Sequence, residues 1–159
     1  MRLIDDQDIK LAALRASRDN LERARRLGRE RPELVAYVVA ATQDFGGVAK
    51  AAAWRGLELC CEALDAGCGE QRATIDEVLE LHDRNLDFAL AIGECDPRIA
   101  HRYLGNTTAL RQRSLLRRLS DDVSRAVPAG QRGAVFLILK TVVDLIDERD
   151  DREAARVGA

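Results

Sequence analysis

The stretch over residues 134–146 is the most apolar part of the chain, and it constrains the fold more than any other. Five of its side chains recur at steps of three and four residues, which places them on one helical face. They are Val135, Ile138, Leu139, Val142 and Ile146, and the face is widened by Phe136, Leu137, Val143 and Leu145. A narrow polar stripe remains, formed by Lys140, Thr141, Asp144 and Asp147. A helix this apolar must be surrounded by other elements, so we predict a central helix over about residues 131–147.

The composition indicates that these surrounding elements are also helices. Of 159 residues, 47% are apolar and 33% are charged, and aromatic residues contribute only 4%. This balance is typical of a folded globular chain, and the length suits one domain. Short connections between helices favour antiparallel neighbours. We therefore predict an all-α, single-domain bundle of six or seven helices, mostly antiparallel, over residues 1–156, with a disordered tail at residues 157–159.

Turn residues and capping patterns divide the rest of the chain. The first helix should end at Gly28, and Pro32 suits the first position of the second helix. Thr74 and Glu77 form a capping box, while Thr107 or Thr108 could cap the sixth helix. We predict helices over residues 5–27, 34–42, 48–66, 74–92, 97–104 and 107–126, followed by the central helix. Residues 148–156 alternate acids and arginines, so they either continue the central helix as a water-facing extension or are disordered.

The predicted fourth helix has two apolar faces and one acidic face. Ile75, Leu79, His82, Leu86 and Ala89 share the first apolar face, and Leu81, Phe88 and Ile92 form the second. Asp76, Glu80, Asp83 and Asp87 line up on a third side, which we expect to be exposed. A histidine on an apolar face is typical of a core residue, so we interpret His82 as a buried histidine with a hydrogen-bond partner.

Cellular location and redox state follow from the absence of several signals. The longest apolar runs are far shorter than the roughly 20 residues of a membrane span. The first residues are acidic where a signal peptide would be apolar. The expected location is therefore cytoplasmic, away from membranes. Cys60, Cys61, Cys68 and Cys95 form no C-x-x-C pair, and we expect them to be reduced thiols.

Charge is distributed unevenly along the chain. Residues 58–96 contain eleven acidic residues and two arginines, a net charge of −9. Residues 98–125 contain seven arginines and two aspartates, a net charge of +5. We expect these consecutive segments to pair with each other inside the bundle. The alternative is that each meets a partner of opposite charge.

The acidic segment also allows a metal-site hypothesis. Glu77, Glu80 and Asp83 follow one another at three-residue steps, and carboxylates on facing helices can hold Mg²⁺. The run Asp-Glu-Val-Leu-Glu at residues 76–80 resembles the E-E-x-x-E motif of the all-α nucleoside triphosphate pyrophosphohydrolases. That resemblance implies Mg²⁺-dependent hydrolysis of a nucleotide or phosphate ester. The E-x-x-D motif that follows in that family has no counterpart at a suitable distance, so the resemblance covers only a small part of the chain.

The sequence lacks the residue patterns of two other kinds of catalytic centre, a di-iron site and a serine nucleophile. His82 and His101 are the two histidines, and a di-iron bundle would need a glutamate three residues before each. Leu79 and Arg98 occupy those positions, which excludes such a site. The serines stand on predicted helices without a histidine or a nucleophile elbow nearby. We expect no cofactor.

The basic helix predicts a binding surface. Arg118 shares one side with Arg111, while Arg113 and Arg117 share another. Stacking aromatics and a helix-turn-helix spacing are absent, which makes nucleic acid an unfavourable partner. We favour a non-enzymatic interaction or regulatory module that binds a protein partner, or a second copy of itself, through charged helical faces. The first alternative is the Mg²⁺-dependent hydrolase, and the second is a nucleic-acid-binding bundle that uses the arginine face.

Overall fold

The computed structural model describes residues 3–16, 20–64, 73–91 and 112–157. These residues form seven helices and contain no strand, which confirms the prediction of an all-α, single-domain bundle. The helices are α1 (Asp6–Ala16), α2 (Asn20–Glu30), α3 (Pro32–Ala41), α4 (Gly47–Leu64), α5 (Ile75–Ala91), α6 (Arg113–Ala126) and α7 (Ala129–Val157).

Helix α7 is the centre of the bundle, as its apolar pattern predicts. Helices α3, α4, α5 and α6 all pack against it. Val135, Leu139 and Val142 are completely or almost completely buried. The helix is one continuous element to Val157, so the predicted extension through residues 148–156 is confirmed. Among the described helices, none is long and apolar enough to cross a membrane.

Small residues let α4 approach its neighbours closely. Ala49, Ala53 and Gly56 are buried on this helix, which packs against α1 and α7. A Cβ atom placed on Gly56 would lie within 3.0 Å of both terminal methyl groups of Leu139 on α7. Glycine at position 56 therefore permits the close contact between the two helices, and a larger residue there would require the Leu139 side chain to shift.

The N-terminal helices differ from their predicted bounds. The predicted helix over residues 5–27 corresponds to two helices, α1 and α2, on either side of residues 17–19, which lie outside the described residues. Gly28 does not end α2, which continues to Glu30 before Arg31 and Pro32. The helix passes through Gly28 because the backbone N–H of Arg31 still donates to the Leu27 carbonyl at 2.7 Å, and Pro32 then begins the next helix.

Two further predictions concern the middle of the chain. Helix α6 begins at Arg113, and its N-cap residue is Gln112, so the prediction that Thr107 or Thr108 caps this helix is wrong. The Gln112 side chain instead bridges two elements, accepting from the backbone N–H of Ile4 at 3.2 Å and donating to Asp147 at 2.9 Å. The predicted helix over residues 97–104 lies outside the described residues.

The two helical glycines provide a matched test of this packing. Gly28→Ala should raise the free energy of unfolding by ~0.5–1 kcal/mol, because alanine has less backbone entropy to lose and meets no neighbour. Gly56→Ala should lower it by ~1–2 kcal/mol, because the new methyl group forces the buried Leu139 side chain to move. Urea denaturation of both variants measures the difference. A stabilising Gly56→Ala substitution would contradict the close approach of α4 and α7.

Candidate functional site

A buried polar network joins α5 to the polar stripe of α7. The amide nitrogen of Asn85 donates to Thr141 Oγ1 at 3.2 Å and to Asp144 Oδ2 at 3.0 Å. Its amide oxygen accepts from Lys140 Nζ at 3.0 Å, and Lys140 also pairs with Asp144. Asn85, Lys140 and Thr141 are buried. Since buried polar groups are costly without partners, this network determines how α5 sits on α7.

Tyr37 and His82 form a second polar contact next to this network, between α3 and α5. The Tyr37 hydroxyl lies 2.7 Å from His82 Nδ1. Burial raises the pKa of Tyr37 to about 12; a hydrogen bond from Thr141 opposes this shift, and the charge of Asp83 adds to it. Burial also lowers the pKa of His82, against the effect of Asp83. Both groups are neutral at pH 7, which suits donation by the phenol to an unprotonated Nδ1. His82 is half-buried and has a partner, in line with its interpretation as a core histidine.

The orientation of α5 leaves one of its apolar faces in contact with solvent. Val78, Leu81 and Asn85 point inward and are buried. Three side chains of the first predicted face are exposed, by 44% for Ile75, 48% for Leu79 and 37% for Leu86, and Leu90, which is not part of that predicted face, is 56% exposed on the same side of the helix. We call these four residues the α5 apolar stripe. Ile75, Leu79 and Leu86 share an apolar face with His82 but are exposed, because the hydrogen bonds of Asn85 hold a neighbouring face against α7.

A row of carboxylates borders the α5 apolar stripe. At about 100° per residue, the stripe occupies an arc of about 60°, and the acidic side chains occupy the next arc on the solvent side. Asp76, Glu80, Asp83 and Asp87 form this row, which we call the α5 acidic edge. All four are exposed, as predicted, and within the described residues none makes an ion pair or hydrogen bond through its carboxylate. The result is an amphipathic surface whose negative charge is not compensated by any ion pair with the described residues.

The three carboxylates proposed as metal ligands, Glu77, Glu80 and Asp83, do not converge on one point. Glu77 forms the predicted capping box: its carboxylate accepts from the Thr74 N–H at 2.9 Å, and its own N–H donates to Thr74 Oγ1 at 3.2 Å. Glu80 and Asp83 belong to the α5 acidic edge. In the part of the chain that the structure describes, no three His, Cys, Asp or Glu side chains converge in a way that could hold a metal ion. Glu77 thus has a structural role at the start of α5.

The arginines of α6 are partly neutralised within their own helix. Arg118 Nε lies 2.7 Å from Asp122 Oδ2, and Arg125 lies 2.8 Å from the other oxygen of the same carboxylate. Arg113 and Arg117 are exposed, whereas Arg111 lies outside the described residues. Of the three candidate arginines that the structure describes, Arg118 is therefore paired with Asp122, whereas Arg113 and Arg117 are exposed on the same helix.

Glu58 and Glu62 form a charged junction with α2. Glu62 accepts from Arg26 at 2.6 Å and lies 3.6 Å from Arg23. Glu58 is buried and accepts from Trp54 Nε1 at 3.1 Å. Burial raises the pKa of Glu58, and the charge of Glu62 adds to this shift, while the Trp54 hydrogen bond and Arg23 oppose it. Glu62 of α4 thus pairs with α2, although the sequence predicts pairing with the basic segment.

The thiols of α4 are part of the core. Cys60 and Cys61 are both buried, and burial raises the pKa of Cys60, which keeps it in the unreactive thiol form. Cys68 and Cys95 lie outside the described residues.

Comparison of the chain with protein-family models, with curated proteins and with solved structures finds no match. The surfaces of the molecule itself therefore give the indication of its function. The most distinctive of these is the α5 apolar stripe with its acidic edge. Periodicity finds these residues in the sequence, but it does not reveal that the stripe faces solvent.

Neighbouring residues of α5 test the buried network. Asn85→Ala should lower the free energy of unfolding by ~2–4 kcal/mol, because Lys140, Thr141 and Asp144 each lose a hydrogen bond. Arg84→Ala removes the exposed contact with Glu148, at 3.2 Å, and should cost less than ~1 kcal/mol. Chemical denaturation of the two variants measures both costs. Equal losses would show that the network does not anchor α5.

The pKa of Glu58 gives a prediction about pH. Because folding raises this pKa, the folded state favours the protonated acid, so its contribution to stability is full below the ordinary value of 4.5 and is lost as pH rises through the folded pKa. Glu58→Gln removes the ionisable group and with it this pH-dependent loss of stability, and the glutamine amide oxygen can still accept the hydrogen bond from Trp54. The melting temperature of the variant relative to the original protein should therefore increase from pH 4 to pH 7. A melting-temperature difference between the two proteins that stays constant from pH 4 to pH 7 would contradict the assignment.

Proposed function

We propose that the protein is a non-enzymatic interaction module that binds a basic amphipathic helix of a partner protein through α5. The observation that carries this proposal is the exposed α5 apolar stripe beside the unpaired carboxylates of the α5 acidic edge. The opposite side of the helix is anchored to α7 through Asn85, so the surface is presented by a rigid element.

The spacing of the stripe suits a helical partner. Leu79 and Leu86 are separated by seven residues, or about two helical turns, and Ile75 and Leu90 extend the row by a further turn at each end. Helices that dock on one another contact through side chains at such intervals. A row of exposed apolar side chains of this kind is typical of an interface. A partner that covers the α5 apolar stripe buries this apolar area, which favours binding.

The charges beside the stripe determine which partner fits. The four carboxylates of the α5 acidic edge would repel another acidic surface and attract lysines or arginines at the flank of an apolar helix. The same repulsion opposes pairing of α5 with α5 from a second copy. The basic helix α6 gives weaker support for a binding surface, because Leu115, Leu116 and Leu119 are buried and its exposed side offers charge alone.

A designed peptide pair tests this function. One peptide is an amphipathic helix with a leucine stripe flanked by lysines, and the other has glutamates in place of the lysines. We expect the lysine peptide to bind in a fluorescence-polarisation titration and the glutamate peptide to bind at least about tenfold more weakly, a difference of ~1.4 kcal/mol or more. The double variant Leu79→Ser/Leu86→Ser should also lose at least about tenfold in affinity.

The matched control is Leu11→Ser/Leu14→Ser, which changes two exposed leucines on α1 and should leave the affinity unchanged. Equal binding of both peptides, equal binding by the α5 double variant, or no binding of the lysine peptide would each contradict the proposal. Sedimentation velocity is the second measurement. A dimer that the α5 double substitution dissociates would identify a second copy as the occupant and would also contradict it.

A further inference from the structure

A cavity of about 560 Å³ lies among α1, α4 and α6, on elements that do not include α5. Small side chains create much of this space: Ala13 on α1, Ala52 and Gly56 on α4, and Ala126 on α6. The three helices pack against one another around it. A cavity of this size is within the range of about 300–1,000 Å³ that is usual for small-molecule sites.

The walls combine apolar surface with a few charged groups, which is also usual for such sites. Leu59, Leu119, Val123 and Leu139 add larger apolar surfaces to the alanines. Leu139 comes from α7, directly before Lys140 of the buried polar network. The body of a ligand in this cavity would therefore be apolar.

The charged groups of the cavity leave one cation uncommitted. Arg118 and Arg125 both bind Asp122, at 2.7 and 2.8 Å, and Glu58 accepts from Trp54 Nε1 at 3.1 Å. Arg55 lines the cavity and makes no hydrogen bond or ion pair with other residues in the described part of the chain. The described lining residues include three arginines and two carboxylates, an excess of positive charge, and burial disfavours the ionised form of Glu58, which increases that excess.

We propose that this cavity binds a small amphiphilic carboxylate, with its head on Arg55 and its alkyl chain along Ala13, Ala52 and Ala126. The planar guanidinium offers two parallel N–H donors to a carboxylate. One uncommitted arginine matches a single negative charge, so a monocarboxylate fits better than a phosphate dianion. This inference is independent of the function proposed for α5.

Octanoate is the probe, titrated into the full chain and followed by isothermal calorimetry. Ala52→Leu places three additional carbons in the cavity wall, and Ala51→Leu makes the same change at the exposed neighbouring position. We expect Ala52→Leu to weaken octanoate binding by at least about tenfold and Ala51→Leu to leave it unchanged. Melting curves of both variants establish that they are folded.

Arg55→Gln and a neutral ligand test the head group, and they keep the test valid if Ala52→Leu does not fold. The original protein should bind octanoate at least about tenfold more tightly than octanol, and Arg55→Gln should abolish this preference. The proposal is overturned if octanoate does not bind, if octanol binds equally well, or if Arg55→Gln keeps the preference. The proposal is also overturned if the Ala52→Leu variant is folded and binds octanoate with the same affinity as the original protein.

Discussion

The hydrogen bonds between Asn85 and the polar stripe of α7 decide which face of α5 points outward. Lys140 and Thr141 are buried under α5, and a buried charge without a partner costs several kcal/mol. A buried neutral polar group without a hydrogen-bond partner costs about 1–3 kcal/mol of stability. The four apolar side chains left outside are only about half exposed, so part of their burial is retained. Satisfying the polar stripe therefore outweighs complete burial of the apolar one.

Much of the fold follows from local pattern alone. The buried face of α7, the start of α3 at Pro32 and the capping box of Thr74 and Glu77 are all encoded within a few neighbouring residues. The orientation of α5 is different, because either apolar face could pack inward. The choice depends on Asn85 and on partners 55 to 59 residues away in the chain, which no analysis of a single helix includes.

The candidate surfaces could be predicted only in part from the sequence, because they too depend on contacts between helices that are distant in the chain. Charge counting finds the acidic and basic segments, but it does not determine their partners. Glu62 forms an ion pair with α2, and Asp122 forms ion pairs with arginines of its own helix. Neither the arginines of α2 nor those of α6 that make these pairs also form an ion pair with the α5 acidic edge, which has no ion-pair partner among the described residues. Helix α7 connects the two proposed binding regions, since Leu139 lines the cavity and the adjacent Lys140 binds Asn85.

The orientation of α5 is tested most directly by hydroxyl-radical footprinting of the unmodified protein with detection by mass spectrometry. Comparison of leucines with one another removes differences in intrinsic reactivity. If the polar network orients α5 as described, Leu79 and Leu86 will be oxidised at rates close to that of exposed Leu14, while Leu81 will be protected. Protection of Leu79 and Leu86 to the level of Leu81 would contradict the outward-facing stripe and the function proposed for it.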